Sequence, residues 1–306
     1  MRKSSQFASY LALFAVWFFW GTTYLAIRMS LESFPPLTMI SARFIASGLI
    51  LLIGAKAAGA RIPSGRELWL TALYGLIVLG GGNGALVFSE LWIPSGLAAL
   101  FITTSPFWLV GLEAATGGER LRVSTLAGIG VGSCGVILLV APALTGARVG
   151  SNVVNGFLLL QAGCVLWNVG ALLQKRQKTN AHPVISGGVQ QLATGVVFLV
   201  PALLISEHPV HWSMKSSLAL LYLVIFGSVV GYSAFIYAME HLPVAIVSTY
   251  TYVNPIVAVF LGWLFYREQF GWREAAAMAI VFAGVAIVKW SAHRSTPDPA
   301  SCEAAA

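Results

Sequence analysis

Ten long apolar segments, separated by short polar connections, account for almost the whole chain. A helix rises 1.5 Å per residue, so about 20 apolar residues cross a hydrocarbon core of about 30 Å. The segments have roughly that length and run over residues 8–29, 36–56, 68–89, 94–115, 121–141, 153–173, 184–205, 216–239, 243–266 and 272–291. The pattern therefore predicts an all-α integral membrane protein with ten transmembrane helices.

The ninth segment combines an uncharged apolar stretch with a proline and several polar residues. Residues 242–266 carry no charge, yet Pro255 lies in their middle. Proline has no N–H to donate, so the carbonyl of Thr251 loses its helical partner, and lipid cannot replace it. Pro106 occupies the matching place in the fourth segment. Two broken membrane helices at matching places in two halves indicate the central site of a secondary transporter, with these two prolines as hinges.

The two halves of the chain repeat each other along most of their length. At an offset of 147 residues, Trp20 matches Trp167 and residues 42–52 match residues 189–199. At an offset of 149 residues, residues 82–83 match residues 231–232 and Gly135 matches Gly284. Each half holds five segments, an odd number, so the second half enters the membrane from the opposite side. We expect two inverted five-helix repeats, residues 1–145 and 146–292, and a polar tail at 293–306.

Composition and charge agree with a membrane protein and argue against a nucleic-acid partner. The 306 residues are 58% hydrophobic and only 9% charged, whereas soluble domains have about a quarter charged residues. The net charge of +7 comes from Lys and Arg residues in the connections between apolar segments. Most of these residues fall in connections on the same side of the membrane as the N-terminus. Because cytoplasmic loops are enriched in these residues, both termini are predicted to be cytoplasmic. The first apolar run is too long for a signal peptide and is read as a membrane helix.

Several stretches of the chain resemble a known family. These are WFFWGTTYLAIR in the first segment, ARF in the second, IPSGLAAL in the fourth and YVNPIVAVFLGWLFYRE in the ninth. Together they resemble EamA-type permeases of the drug/metabolite transporter superfamily, over all ten segments. The resemblance implies a multi-pass protein of the bacterial inner membrane that exports amino acids or other small metabolites. Multidrug efflux and a non-transporting membrane scaffold or enzyme remain alternatives.

Motifs for catalysis, cofactors or metals do not emerge from the sequence. Residues 130–135 match G-x-G-x-x-G, but they lie in a membrane segment rather than between a strand and a helix. The three cysteines form no disulfide framework, and the five histidines fall in connections or the tail without metal-ligand spacing. We therefore expect no enzyme activity, no cofactor and no metal.

Polar and aromatic residues near the middle of segments are the candidates for substrate binding. Ser105 and Asn254 each precede a helix-breaking proline, and Trp20 lies about halfway along the first segment, too deep for an interfacial anchor. The alternative for the amides is hydrogen bonding between helices. The predicted substrate-binding set is Trp17, Trp20, Tyr24, Asn83, Thr103, Ser105, Trp167, Asn168, Tyr232, Tyr250, Tyr252 and Asn254.

Ionisable residues within membrane segments are costly and point to function. Arg43 lies about seven residues inside the second segment. It either binds a substrate carboxylate or plays a structural part, by capping helix ends or by pairing with Glu90. The equivalent position in the second repeat holds Gln190, so the halves are not chemically equivalent. Glu90 is also the one plausible proton carrier, and a passive facilitator or exchanger fits the sequence equally well.

The predicted substrate-binding residues lie on segments 1, 3, 4, 6, 8 and 9, and these six segments are therefore expected to line a cavity. Segments 5 and 10 are rich in Gly and Ala and are expected to pack or to dimerise. The predicted partners are thus a small-molecule substrate and the lipid bilayer, with the chain a monomer or a homodimer through segments 5 and 10.

Overall fold

The computed structural model describes residues 2–116, 123–145, 150–177, 181–205, 208–242, 244–247 and 249–293. Its first half contains α1 (Arg2–Leu31), α2 (Pro36–Ala57), α3 (Gly65–Gly75), a π-helical segment (Leu76–Asn83), α4 (Gly84–Ser89), α5 (Ser95–Ile102), α6 (Ser105–Ala115) and α7 (Val123–Thr145). The second half contains α8 (Gly150–Arg176), α9 (Pro183–Leu204), α10 (Met214–Tyr222), a second π-helical segment (Leu223–Val230), α11 (Gly231–His241), α12 (Val244–Val247), α13 (Tyr250–Tyr266) and α14 (Trp272–His293). The tail was predicted at 293–306; His293 is the last residue of α14, and residues 294–306 lie outside these ranges.

The predicted all-α membrane class is confirmed. Seven stretches among the described residues are long and apolar enough to cross a membrane: α1, α2, α3 to α4, α5 to α6, α8, α9 and α10 to α11. Two shorter apolar helices, Val123–Leu139 and Tyr250–Tyr266, accompany them. Large apolar side chains remain exposed on many helices, among them Trp69, Trp212 and Trp272. Such exposure is normal where lipid rather than water covers the surface.

Symmetry-related helices pack against each other through glycine. Helices α2 and α9 begin at Pro36 and Pro183, an offset of 147 residues. A Cβ atom on Gly48 would lie 2.5 Å from the backbone nitrogen of Leu192, and one on the equivalent Gly195 would lie 2.5 Å from that of Ile45. The two backbones therefore touch, which is how membrane helices gain packing without a hydrophobic driving force.

Helices α7 and α14, the predicted fifth and tenth, also pack closely against each other. A Cβ atom on Gly284 would lie 2.4 Å from the backbone nitrogen of Gly132, and one on Gly128 would lie 2.8 Å from the carbonyl oxygen of Gly284. Their small residues are thus used within one chain. A homodimer through these helices would use other faces and stays a prediction.

Adding a side chain at this contact should separate the two helices. We expect Gly128→Val to cost about 1–3 kcal/mol, because overpacking forces the helices apart. Gly130→Val is the matched control, since no atom lies within 4 Å of a Cβ atom at that position on the same helix. The thermal midpoint in detergent measures both, and equal midpoints would show that the contact does not limit stability.

Both predicted broken helices are interrupted, but only one of them at its proline. Helix α5 ends at Ile102 and α6 begins at Ser105, so Pro106 lies in the first turn of α6. In the second half the interruption falls before Tyr250, and Pro255 lies inside an unbroken α13. Placing that break at Pro255 was wrong. Membrane helices tolerate proline where a neighbour supports them, and α1 touches this turn closely: a Cβ atom on Gly21 would lie 2.7 Å from Val257 Cβ.

Two π-helical segments interrupt the predicted third and eighth helices, a feature that the sequence pattern did not predict. They begin at Leu76 and Leu223, again 147 residues apart, and each has eight residues. The offset is therefore still 147 at this point, and the match of residues 82–83 with 231–232 was wrong. The two extra residues enter later, within the longer α11. π-Helical turns occur frequently at functional sites.

Candidate functional site

A cavity of about 490 Å³ lies between the two halves and is lined by helices of both. Its volume is in the range of small-molecule sites. Ten of the twelve predicted substrate-binding residues line it: Trp20, Tyr24, Asn83, Thr103, Ser105, Trp167, Asn168, Tyr232, Tyr250 and Asn254. Pro255 and Arg43 line it as well. The structure thus brings together residues from distant parts of the chain, and their contact with substrate stays a prediction.

Two predicted residues, Trp17 and Tyr252, are not part of the cavity wall. Trp17 packs with Leu13 and Val247 in a separate apolar cluster. The ring of Tyr252 packs edge-on against Phe282, with the centroids 5.3 Å apart. Because each residue turns a helix by about 100°, Tyr252 points away from the side on which Tyr250 lies. The predicted hinge Pro106 and the predicted charge partner Glu90 also lie outside the described lining.

Helices α2 and α9 contribute to the cavity, although they were not predicted to do so. Arg43 and Phe44 come from α2, and Gln190 and Gln191 come from the equivalent part of α9. Their long side chains reach past the glycine contact between the two helices. The glutamines were missed because polar residues in a membrane helix were considered mainly beside prolines.

Arg43 connects α2 to both π-helical segments. Its Nε donates to Ser228 Oγ at 2.9 Å, its Nη1 donates to Asn83 Oδ1 at 3.3 Å, and its guanidinium stacks on the Phe44 ring at 5.0 Å. The side chain is buried, with 5% of its surface exposed. The predicted ion pair with Glu90 is absent among the described residues, because the Arg43 side chain extends into the cavity and Glu90 lies outside it.

An aromatic cluster forms the adjoining part of the wall. The ring of Trp20 lies 5.1 Å from that of Phe235 and 5.4 Å from that of Tyr250 between centroids. Its indole Nε1 donates to the carbonyl oxygen of Gly227 at 3.2 Å. The hydrogen bond to the second π-helical segment holds the indole in the cavity wall.

Asparagine amides join the first helix of each repeat to the broken helix of the other. In one joint Asn168 of α8 donates to the carbonyl and hydroxyl oxygens of Ser105 at 3.2 and 2.8 Å. In the other joint Asn254 of α13, with its amide oriented to suit its neighbours, donates to the carbonyl oxygen of Trp17 at 3.1 Å. The residue that faces Asn254 from α1 is Gly21, the equivalent of Asn168. Each joint therefore has one asparagine, supplied from opposite sides of the contact.

A buried carboxylate, Glu268, closes one end of the structure. It accepts hydrogen bonds from the backbone nitrogens of Ser95 and Gly96, both at 3.0 Å, and forms an ion pair with Arg28 at 2.8 Å. It thereby caps the N-terminus of α5. A Cβ atom on Gly262 would lie 2.4 Å from its Oε2, so glycine leaves room for it.

The sequence pattern did not predict this interaction. The available signal was that Glu268 lies as far beyond Pro255 as Glu119 lies beyond Pro106. Glu119 is outside the described residues.

Glu90 lies near this ion pair but has no hydrogen-bond partner in the described part of the chain. Only 7% of its surface is exposed, and neither carboxylate oxygen meets a partner among the described residues. It directly follows the span that ends at Ser89. Burial raises its pKa well above the usual value, the Glu268 carboxylate raises it further, and Arg28 opposes both effects. Burial and the Glu268 carboxylate together outweigh Arg28, so the neutral form of Glu90 is favoured.

Metal-ligating residues do not cluster in the described part of the chain: no group of three or more His, Cys, Asp or Glu is close enough to hold an ion. The cavity wall is instead built of aliphatic and aromatic side chains, neutral polar groups and one guanidinium. Two repeats of apolar helices enclosing such a cavity define a class of protein, the multi-spanning membrane transporters.

The chain belongs to the EamA-like transporter family, whose sequence pattern matches it twice, at residues 7–141 and 154–290. The predicted family, transport function and multi-pass membrane location are thereby confirmed, and a transporter rather than an enzyme is established. The two matches also confirm the internal repeat.

Similar proteins come from several organisms. The uncharacterized inner membrane transporter YedA of Escherichia coli strain K12 is 33% identical over 279 residues, covering 90% of this chain and 89% of its own. A probable amino-acid metabolite efflux pump of Salmonella typhimurium is 26% identical and covers 88% of this chain and 90% of its own. A solved crystal structure superposes with a TM-score of 0.67 at 22% identity, over 94% of this chain and 99% of its own. At that identity the superposition shows the fold alone.

Proposed function

We propose that this transporter exports small metabolites, in particular amino acids, across the bacterial inner membrane. In this proposal the chain forms ten spans, with residues 1–145 and 146–292 as oppositely oriented repeats and both termini in the cytoplasm. The name of the Salmonella relative, an amino-acid metabolite efflux pump, supports this class of substrate. The cavity supports it too, because its aromatic and polar lining suits small amphipathic molecules.

The observation that carries the proposal is the position of the cavity relative to the Glu268 network. Its lining reaches Gln174 and Met239, near the last residues of α8 and α11. The ion pair of Arg28 with Glu268 lies at the opposite end of the bundle, beyond the lining. In the proposed topology the cavity extends toward the cytoplasm and the network closes the outer face.

Alternating access would then require the two repeats to rock against each other. The interruption between α5 and α6 and the turn before α13 are the proposed hinges, with Pro106 in the first turn of α6 and Pro255 further along α13. The two asparagine joints connect the moving halves at this level. A homodimer is compatible with this motion but is not needed for it.

Filling the cavity should stop transport without unfolding the protein. Ala171 lines the cavity on α8, so Ala171→Trp should reduce flux by about tenfold or more because the indole occupies substrate space. Radiolabelled amino-acid counterflow in proteoliposomes, without a pH gradient, measures the flux.

Leu158→Trp on the same helix is the matched control, because Leu158 is 59% exposed on the outside of the bundle. It should retain the wild-type rate. The proposal is wrong if both variants transport at that rate, or if wild-type protein exchanges none of the amino acids tested.

A further inference from the structure

Arg43 is a buried cation whose compensating charge the described part of the chain does not supply. It is the one charged side chain among the described lining residues. The ion pairs found among described residues involve Arg28, Arg61, Lys175, Lys215 and Arg273, and not Arg43. Burying an unpaired cation is expensive, so a negative charge is expected to enter from the cavity.

The guanidinium has a free edge on the cavity side. Nε and Nη1 are held by Ser228 and Asn83, both neutral acceptors. Nη2 has no acceptor among the described residues, and it lies 3.4 Å from the place a Cβ atom on Gly227 would take. Because Gly227 has no side chain, no Cβ atom packs against Nη2 from this helix, and Thr23 Cγ2 would lie 2.9 Å from such an atom. Two ends of the guanidinium are fixed, so the third donor is preorganised for a ligand oxygen.

The aromatic cluster begins at the same glycine. The carbonyl oxygen of Gly227 accepts the indole N–H of Trp20, and the rings of Phe235 and Tyr250 adjoin Trp20. If an oxygen of a ligand binds Arg43, the rest of the ligand would therefore lie in an apolar, aromatic region. The position equivalent to Arg43 in the second repeat is the neutral Gln190, so the cavity has one cationic end.

We propose that Arg43 binds the carboxylate of the transported substrate, whose apolar or aromatic body lies against Trp20, Phe235 and Tyr250. The inference rests on the proposed transport function and narrows its substrates to small monocarboxylates with an apolar body. Phosphate esters and dicarboxylates would bring a second negative charge for which the described lining has no cation.

Four compounds that share a phenyl ring separate the contribution of the carboxylate to binding from that of the ring: L-phenylalanine, 3-phenylpropionate, L-phenylalaninamide and phenethylamine. Only the first two carry a carboxylate. Thermal stabilisation of the detergent-solubilised full chain reports binding directly, since a ligand that binds the folded state stabilises it. We expect both carboxylates to raise the midpoint and the amide and amine to leave it unchanged. The midpoint is also measured in chloride-free buffer and after addition of chloride, which tests whether an inorganic anion occupies the site instead.

Variants at Arg43 test whether that residue causes the preference. Arg43→Gln removes the charge and should weaken 3-phenylpropionate about 10- to 100-fold, the usual range for a charge-assisted hydrogen bond. Arg43→Lys keeps the charge and should retain the preference for carboxylate over amide. Arg66→Gln, an exposed arginine at the start of α3, is the control and should bind as wild type does.

The outcomes separate this inference from the proposed function. If the amide stabilises wild-type protein as well as the acid, or if chloride alone does so, Arg43 is not a carboxylate site. The same follows if Arg43→Gln keeps the preference, or if none of the four compounds binds. The wild-type ligand series decides the matter even if Arg43→Gln does not fold. Transport is judged separately, by the counterflow assay.

Discussion

Glu268→Ala is expected to lower the free energy of unfolding by about 3 kcal/mol, because it breaks an ion pair whose arginine side chain is only 31% exposed and removes the cap of α5. The carboxylate side chain is 8% exposed and holds Arg28 at 2.8 Å. It also accepts the backbone N–H groups of Ser95 and Gly96. Removal leaves a cation without its partner and the N-terminus of α5 without its cap. Thermal or denaturant unfolding in detergent measures the loss.

Another ion pair, between Glu32 and Lys215, provides the control. Its side chains are 39% and 50% exposed and lie 2.7 Å apart, so Glu32→Ala should cost about 1 kcal/mol or less. Glu268→Gln, which keeps the shape and one acceptor, should fall between the two. Equal losses for Glu268→Ala and Glu32→Ala would mean that the buried network does not close the structure.

Glu90→Gln is expected to stabilise the protein at neutral pH and to remove most of a pH dependence. The folded-state pKa of Glu90 lies above its ordinary value of 4.5, chiefly through burial. The folded state therefore holds the proton more tightly than the unfolded state. Stability is full below the ordinary pKa and falls by about 1.4 kcal/mol per pH unit as the pH rises toward the folded-state pKa.

Glutamine has nearly the same shape and no charge, so it removes this loss. Thermal midpoints of wild type and Glu90→Gln should coincide at acid pH and diverge above it, with the variant more stable. Glu113→Gln is the control, since Glu113 is 45% exposed and pairs with Lys175 at 3.7 Å. Parallel pH curves for wild type and Glu90→Gln would show that Glu90 has a charge-compensating partner in the folded state.

Local sequence pattern predicted much of the cavity wall, and the errors have geometric causes. Trp20, Asn83 and Asn254 were identified because a polar or aromatic group deep in an apolar segment is costly in lipid and therefore indicates a functional or packing role. Tyr252 was grouped with Tyr250 by proximity in sequence, although the helical twist directs it to Phe282. Rotation of a side chain about its helix axis depends on packing against neighbours, and a single segment does not contain that information.

Long-range pairings were the least predictable part of the site. Pairing with Glu90 was one of the structural alternatives for Arg43, yet its partners are Ser228 and Asn83, both in π-helical segments. In the sequence Glu268 is only the end of a motif, yet it caps α5, a helix about 170 residues away along the chain. The geometry of a single helix does not predict such a long-range cap. A buried charge takes the partner that the tertiary fold brings within reach.

The sequence by itself determined the membrane class, the two repeats and the stock of mid-segment polar groups, because lipid demands apolar runs of fixed length and makes every exception conspicuous. Matched glycines such as Gly48 and Gly195 already carried the symmetry of the helix contacts. Only the tertiary structure decided which of these polar residues share one cavity, which carboxylate holds Arg28, and that Arg43 has no carboxylate partner among the described residues. These outcomes depend on the relative rotation and depth of helices, which packing between distant segments sets.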